Sequence, residues 1–136
     1  SLHSTNAELR ARLLPKAPRI DPAELVELGE RYARTTGYPI QYQWTLLEGV
    51  NDGDDELHGI VRLLTGKYAV MNLIPYNTVP GLAFDRPAAG RAATMALRLN
   101  ERGVLTKLRN SAGQDVEGAC GQLRAREIRP VPRVAN

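Results

Sequence analysis

The sequence has 136 residues, with 18 lysines and arginines against 15 aspartates and glutamates for a net charge of +3, and one cysteine. That length suits one domain with a core of moderate size, and a lone cysteine excludes both an internal disulfide and a four-cysteine metal site. No run of 18 apolar residues and no signal-like stretch occurs, which sets the expectation of a soluble, cytoplasmic protein with no membrane partner.

In chain order, Ser1-Leu2-His3-Ser4 reads as the tail of a strand that begins upstream, which leaves one sheet edge unpaired. A short helix is predicted over residues 5–14, with Leu9, Leu13 and Leu14 on one side and Pro15 and Pro18 as stops. Asp21-Pro22-Ala23-Glu24 combines a capping residue, a proline at the first helical position and a glutamate at the third, so a helix starts there. Leu25, Leu28 and Tyr32, widened by Val26, form its predicted apolar stripe, and Gly37 its left-handed stop. Over residues 40–47, Ile40, Tyr42, Trp44 and Leu46 alternate with Gln41, Gln43 and Thr45, the period of a strand with one apolar and one polar face. The polar face either lines a site inside a barrel or is simply half exposed.

Glu48-Gly49-Val50-Asn51-Asp52-Gly53-Asp54-Asp55 is a loop rich in turn formers and acids. It lacks the glutamate that closes a calcium loop twelve residues on, so helix capping explains the acids better. Leu57, Ile60, Val61 and Leu64 predict the next helix, ended by Gly66, with His58 off the stripe and exposed. The nearly continuous apolar run of residues 68–75 predicts a strand covered on both faces. Asn72 stands out within it, because a buried amide must find partners. A proline-rich loop follows, and Asn77, just past the strand end, either offers its amide to a ligand or closes a turn. A helix over residues 87–102, with Ala92, Ala93, Ala96, Leu97 and Leu99 as its apolar face, and a strand over residues 104–109 complete the periodic pattern.

Repeated strand-helix units of about 30 residues mean a parallel sheet. With the opening segment, four strands are expected, half a barrel, with helices on one face and the site at the strand C-terminal ends. Residues 110–114 then lead to Asp115-Val116-Glu117-Gly118-Ala119-Cys120-Gly121-Gln122-Leu123. Cys120 sits between two glycines and after a good capping residue, and a thiol in a helix's first turn has its thiolate stabilised by the dipole. The alternative for a lone cysteine is a small buried hydrophobe. Lys107, Arg109, Arg124, Arg126, Arg129 and Arg133 crowd toward the C-terminal end, as a phosphate track or as a solvated face.

Ser1-Leu2-His3, Gly49-Val50-Asn51-Asp52, Asn72-Leu73-Ile74-Pro75-Tyr76-Asn77 followed by Pro80-Gly81, and the Asp115 to Leu123 stretch occur in an order and spacing that resemble the C-terminal half of the radical S-adenosylmethionine adenine-C2 methyltransferases of ribosomal RNA. The resemblance implies an α/β fold, the parallel-stranded C-terminal half of a partial (β/α)6 barrel over residues 1–128, with an irregular tail over residues 129–136. It implies methylation of adenine C2 in 23S rRNA, with transfer RNA as a further candidate. It also implies that the residue at Cys120 carries the methyl group and that Ser1, Leu2, His3 and Asn77 contact S-adenosylmethionine. The family holds a 4Fe-4S cluster through a Cys-x3-Cys-x2-Cys loop and uses one more upstream cysteine. This chain has neither, and one thiol cannot ligate such a cluster.

Two readings follow. In the first, the chain is the cluster-free half of a radical methyltransferase whose missing N-terminal half completes the barrel. In the second, it is a non-catalytic paralogue that binds RNA or a protein partner. Either way, an open sheet edge leads to the expectation that the isolated chain self-associates.

Overall fold

The computed structural model describes residues 1–109. Helix α1 (Ala7–Leu13) is followed by α2 (Pro22–Thr36), β1 (Ile40–Leu46), α3 (Asp54–Leu64), β2 (Ala69–Pro75), α4 (Arg91–Glu101) and β3 (Thr106–Leu108). The strands form one parallel sheet in the order β1-β2-β3. Each parallel connection is a helix, the crossover that parallel pairing requires. No described helix is long and apolar enough to cross a membrane.

Local chemistry explains the elements. The Asp21 carboxylate accepts the Ala23 N–H at 2.8 Å, Pro22 occupies the first turn, and Gly37 closes α2 at φ 81°, a conformation that glycine adopts without a Cβ penalty. In β1, Tyr42, Trp44 and Leu46 are buried against the helices, while Gln41 is exposed and Gln43 half-buried on the other face. The register places Met71 and Leu73 beside Tyr42 and Trp44, and Asn72 beside Gln43. One sheet face therefore joins Leu57, Ile60 and Leu64 of α3 and Met95 and Leu99 of α4 in the main core. The other carries Gln41, Gln43, Asn72 and Lys107 together with Val70, and Asn72 and Val70 are buried on it.

Four expectations need correction. Among the described residues the sheet has three strands, not four. Residues 1–4 run beside β1, with the Leu2 N–H donating to the Gln43 carbonyl at 3.0 Å, but make no strand ladder. On α2, Leu28 and Tyr32 are exposed, and the buried stripe is Pro22, Val26 and Ala33. Small residues face the sheet because a Cβ at Gly29, on that same line, would come within 2.7 Å of the Tyr42 hydroxyl. On α4, Leu97 and Ala93 point outward and Met95 takes the core position. Finally, α3 is capped by Gly53 with no side-chain hydrogen bond, and Asp52 instead accepts the Gly49 N–H at 3.0 Å. The acids of that loop thus shape a turn, and Asp54, Asp55 and Glu56 fall in the first helical turn.

A second, smaller cluster lies over the C-terminal ends of the strands. Leu13 and Leu14 from the α1 end, Leu47 after β1, and Tyr76 and Phe84 after β2 are all buried together. The Tyr76 and Phe84 rings meet edge to face at 6.1 Å, a favoured aromatic geometry. The Glu48 N–H donates to the Asp85 carbonyl at 3.0 Å, tying the two loops together. The proline-rich loop is therefore an anchored part of the strand-end architecture.

Candidate functional site at the strand ends

In a parallel sheet all strand C-termini lie along one edge, and the loops there build sites. Residues 1–3 run beside the C-terminal half of β1, and Asn77 lies two residues past the end of β2, its neighbour. The Ser1, Leu2 and His3 segment thus flanks β1, whereas Asn77 follows the C-terminal end of β2. Leu2 itself is fully buried in the main core with Trp44 and Leu57. Cys120, with the whole Asp115 to Leu123 stretch and the arginines after it, lies outside the described residues.

His3 is the most constrained residue of this edge. It is the one non-glycine residue with positive φ, at 59°, among those described, a conformation that costs an L-residue roughly 1–2 kcal/mol and persists only where neighbours over-determine it. Its Nδ1 accepts the Thr45 backbone N–H at 2.9 Å. A ring nitrogen that accepts cannot carry the proton, so the neutral ring holds its proton on Nε2. Nε2 is buried and has no partner among the described residues. Burial above all pushes the imidazole pKa down to about 3. His3 is thus a neutral hydrogen-bond donor. Arg10, itself buried, donates from Nη2 to the Ser1 carbonyl at 3.0 Å, and its Nε has no partner among the described residues.

Two buried polar side chains hold this segment, and the sequence pattern marks neither of them for that role. The Asn51 amide nitrogen donates to the His3 carbonyl at 2.8 Å and to the Thr45 carbonyl at 2.9 Å, and its oxygen accepts the Leu47 N–H at 2.8 Å. The Glu56 carboxylate, from the first turn of α3, accepts the Ser4 hydroxyl at 2.5 Å, the Thr5 N–H at 2.9 Å and the Thr5 hydroxyl at 2.5 Å. Ser4 Oγ in turn accepts the Asn6 N–H at 2.9 Å, and Asn6 caps α1.

Past β2, the Asn77 side-chain oxygen accepts a hydrogen bond from Arg86 Nη1, which sets the orientation of the amide. On the polar sheet face, Asn72 donates to the Gln41 side chain at 3.1 Å and to the Tyr42 carbonyl at 3.2 Å, and accepts from Arg109 Nε at 3.1 Å. The amide that stands out in an apolar run is therefore fully engaged, on the face opposite the core. His58 is exposed, as expected. Among the described residues no group of three or more His, Cys, Asp or Glu side chains is placed to hold a metal ion. The sequence itself holds one cysteine, fewer than the thiolates that hold an iron-sulfur cluster.

No protein-family model matches the chain. It is 76% identical over 128 residues to a probable RNA methyltransferase of Methylibium petroleiphilum, covering 94% of this chain and 36% of that protein. A probable RNA methyltransferase of Leptothrix cholodnii is 70% identical over 133 residues, covering 98% of this chain and 38% of that protein. Among solved structures, a radical SAM methyltransferase from Sphaerobacter thermophilus superposes with a TM-score of 0.77 at 39% identity, over 91% of this chain and 36% of that one. The chain therefore spans a little over a third of the length of the relatives it matches.

Proposed function

We propose, from the premise that the chain belongs to the radical S-adenosylmethionine methyltransferases over the segment it spans, that the complete protein methylates RNA, at adenine C2 of 23S rRNA, with transfer RNA as an alternative substrate. In this reading the strand-end edge binds S-adenosylmethionine. The backbone of Ser1, Leu2 and His3, the His3 ring donor and the Asn77 amide hold its amino-acid and ribose parts. Cys120 carries the one-carbon unit to the base. When bound, S-adenosylmethionine supplies the methyl group and, at a 4Fe-4S cluster held elsewhere in the protein, the radical that activates it.

The observation that supports this reading most is the pinning of residues 1–3 beside β1, with His3 held at positive φ by buried polar partners. Methyl-labelled S-adenosylmethionine, given with 23S rRNA to the complete, cluster-reconstituted protein, tests the reading. Label at adenine C2 that is lost in Cys120→Ala is the expected result. Label confined to other positions, or label at C2 that survives Cys120→Ala, overturns it.

A further inference from the structure

We infer that Asn51 and Glu56 are positioning residues, which fix residues 1–5 in the conformation that meets S-adenosylmethionine; this rests on the functional reading above and adds to it the side chains that preorganise the site. The two act on adjacent halves of one segment. Asn51 uses both ends of its amide, joining the His3 carbonyl, the Thr45 carbonyl and the Leu47 N–H. It therefore locks the positive-φ residue to the end of β1 and to the loop that follows. Glu56 takes three donors from the next two residues, Ser4 and Thr5.

Both side chains are almost wholly buried, Asn51 at 0% and Glu56 at 3% exposure. Burying an amide and a carboxylate is costly unless every lone pair is answered, and apolar residues of similar size stabilise a core more simply. Glu56 has no cation paired with it among the described residues; its charge is met by an N–H and two hydroxyls. Such an arrangement specifies geometry rather than adding stability. The α3 backbone is shaped for it as well. A Cβ at Gly59, one turn beyond Glu56, would overlap the Thr5 side chain, with Thr5 Cβ at 2.9 Å, so only glycine lets the segment lie this close to the helix.

The test uses the complete protein, reconstituted with its cluster, and titrates it with S-adenosylmethionine by calorimetry alongside a melting curve. Asn51→Ala and Glu56→Ala are expected to weaken cofactor binding by about tenfold or more, the loss of one or two buried hydrogen bonds at a held segment. Glu56→Gln, which keeps an acceptor for Thr5, is expected to recover most of it. In turnover, the loss falls on KM for S-adenosylmethionine, while KM for RNA stays within about threefold. Variants that fold and bind the cofactor as the wild type does overturn the inference, as does an equal rise in both KM values. If Asn51→Ala does not fold, Glu56→Ala and Ser4→Ala carry the same comparison, with Glu56→Gln as the rescue. A wild-type protein that does not bind S-adenosylmethionine overturns the functional reading as well, whereas wild-type binding matched by the variants overturns the positioning role alone.

Discussion

The Thr45 backbone N–H donates to His3 Nδ1 at 2.9 Å, where a strand N–H would ordinarily find a carbonyl. A side chain from the first residues thus takes the place of a ladder partner, and the ring is fixed as the neutral tautomer with its proton on Nε2. The same bond requires Nδ1 to stay unprotonated, which links the fold of the edge to pH.

The first prediction follows from that linkage. The folded pKa of His3 lies at about 3, below the ordinary 6.5, so between those values the unfolded chain binds more protons than the folded one. Stability therefore rises with pH across this window; it is complete above about 6.5 and is lost as pH falls toward 3, by on the order of a few kcal/mol. Urea unfolding at a series of pH values checks it. Wild type should lose stability on acidification more steeply than His3→Asn, which keeps an acceptor for Thr45 but does not titrate.

Gly59→Ala should destabilise the protein by about 1–3 kcal/mol, the usual range for forcing atoms into a packed contact. The new methyl displaces Thr5 from α3 and loosens its bonds to Glu56. Adding Thr5→Gly should restore part of the loss in a thermal melt, because the clash is with the Thr5 side chain itself.

Gly29→Ala places a methyl against the Tyr42 hydroxyl and the Ile40 side chain. A loss of about 1–2 kcal/mol is expected. Tyr42 is nearly buried, and burial, then Glu30 and Glu27, push its phenol up to about 12, so the hydroxyl stays protonated through the physiological range. Tyr42→Phe removes the clashing oxygen, and in the Gly29→Ala background it should cost less than it does alone. A double-mutant cycle by urea denaturation measures the difference.

Asn72→Leu should also destabilise, by about 1–3 kcal/mol. The Tyr42 carbonyl and the Arg109 guanidinium each lose a partner. Asn72→Asp should hold Arg109 but forfeit the two donated bonds, giving an intermediate melting temperature.

Signals confined to a few neighbouring residues are legible in the amino-acid sequence itself. Asp21 and Pro22 mark a helix start and Gly37 its end because capping is local chemistry, and all three hold. The alternation through Tyr42 and Trp44 reports a two-faced strand for the same reason. Leu28, Tyr32 and Leu97 mislead because periodicity weighs size, whereas the helices approach the sheet through Val26, Ala33, Ala92 and Ala96. Glu56 is the residue that sequence reasoning misses most plainly. Its position in an acidic first turn reads as solvated capping, and its partners lie 51 and 52 residues away. Asn51 falls within a recognised motif, yet nothing in the motif says that it joins three backbone groups from two separate segments. The family resemblance supplies Ser1, Leu2, His3 and Asn77 as a set, which no local pattern in the sequence marks.

The most direct test of the functional account is the mass of the peptide that contains Cys120, taken from the complete protein isolated with its cluster and S-adenosylmethionine. A thiol that carries the one-carbon unit gains the mass of a methyl group in place of its hydrogen, and the gain disappears when S-adenosylmethionine is withheld. An unmodified Cys120 peptide from cluster-loaded, cofactor-supplied protein would contradict it.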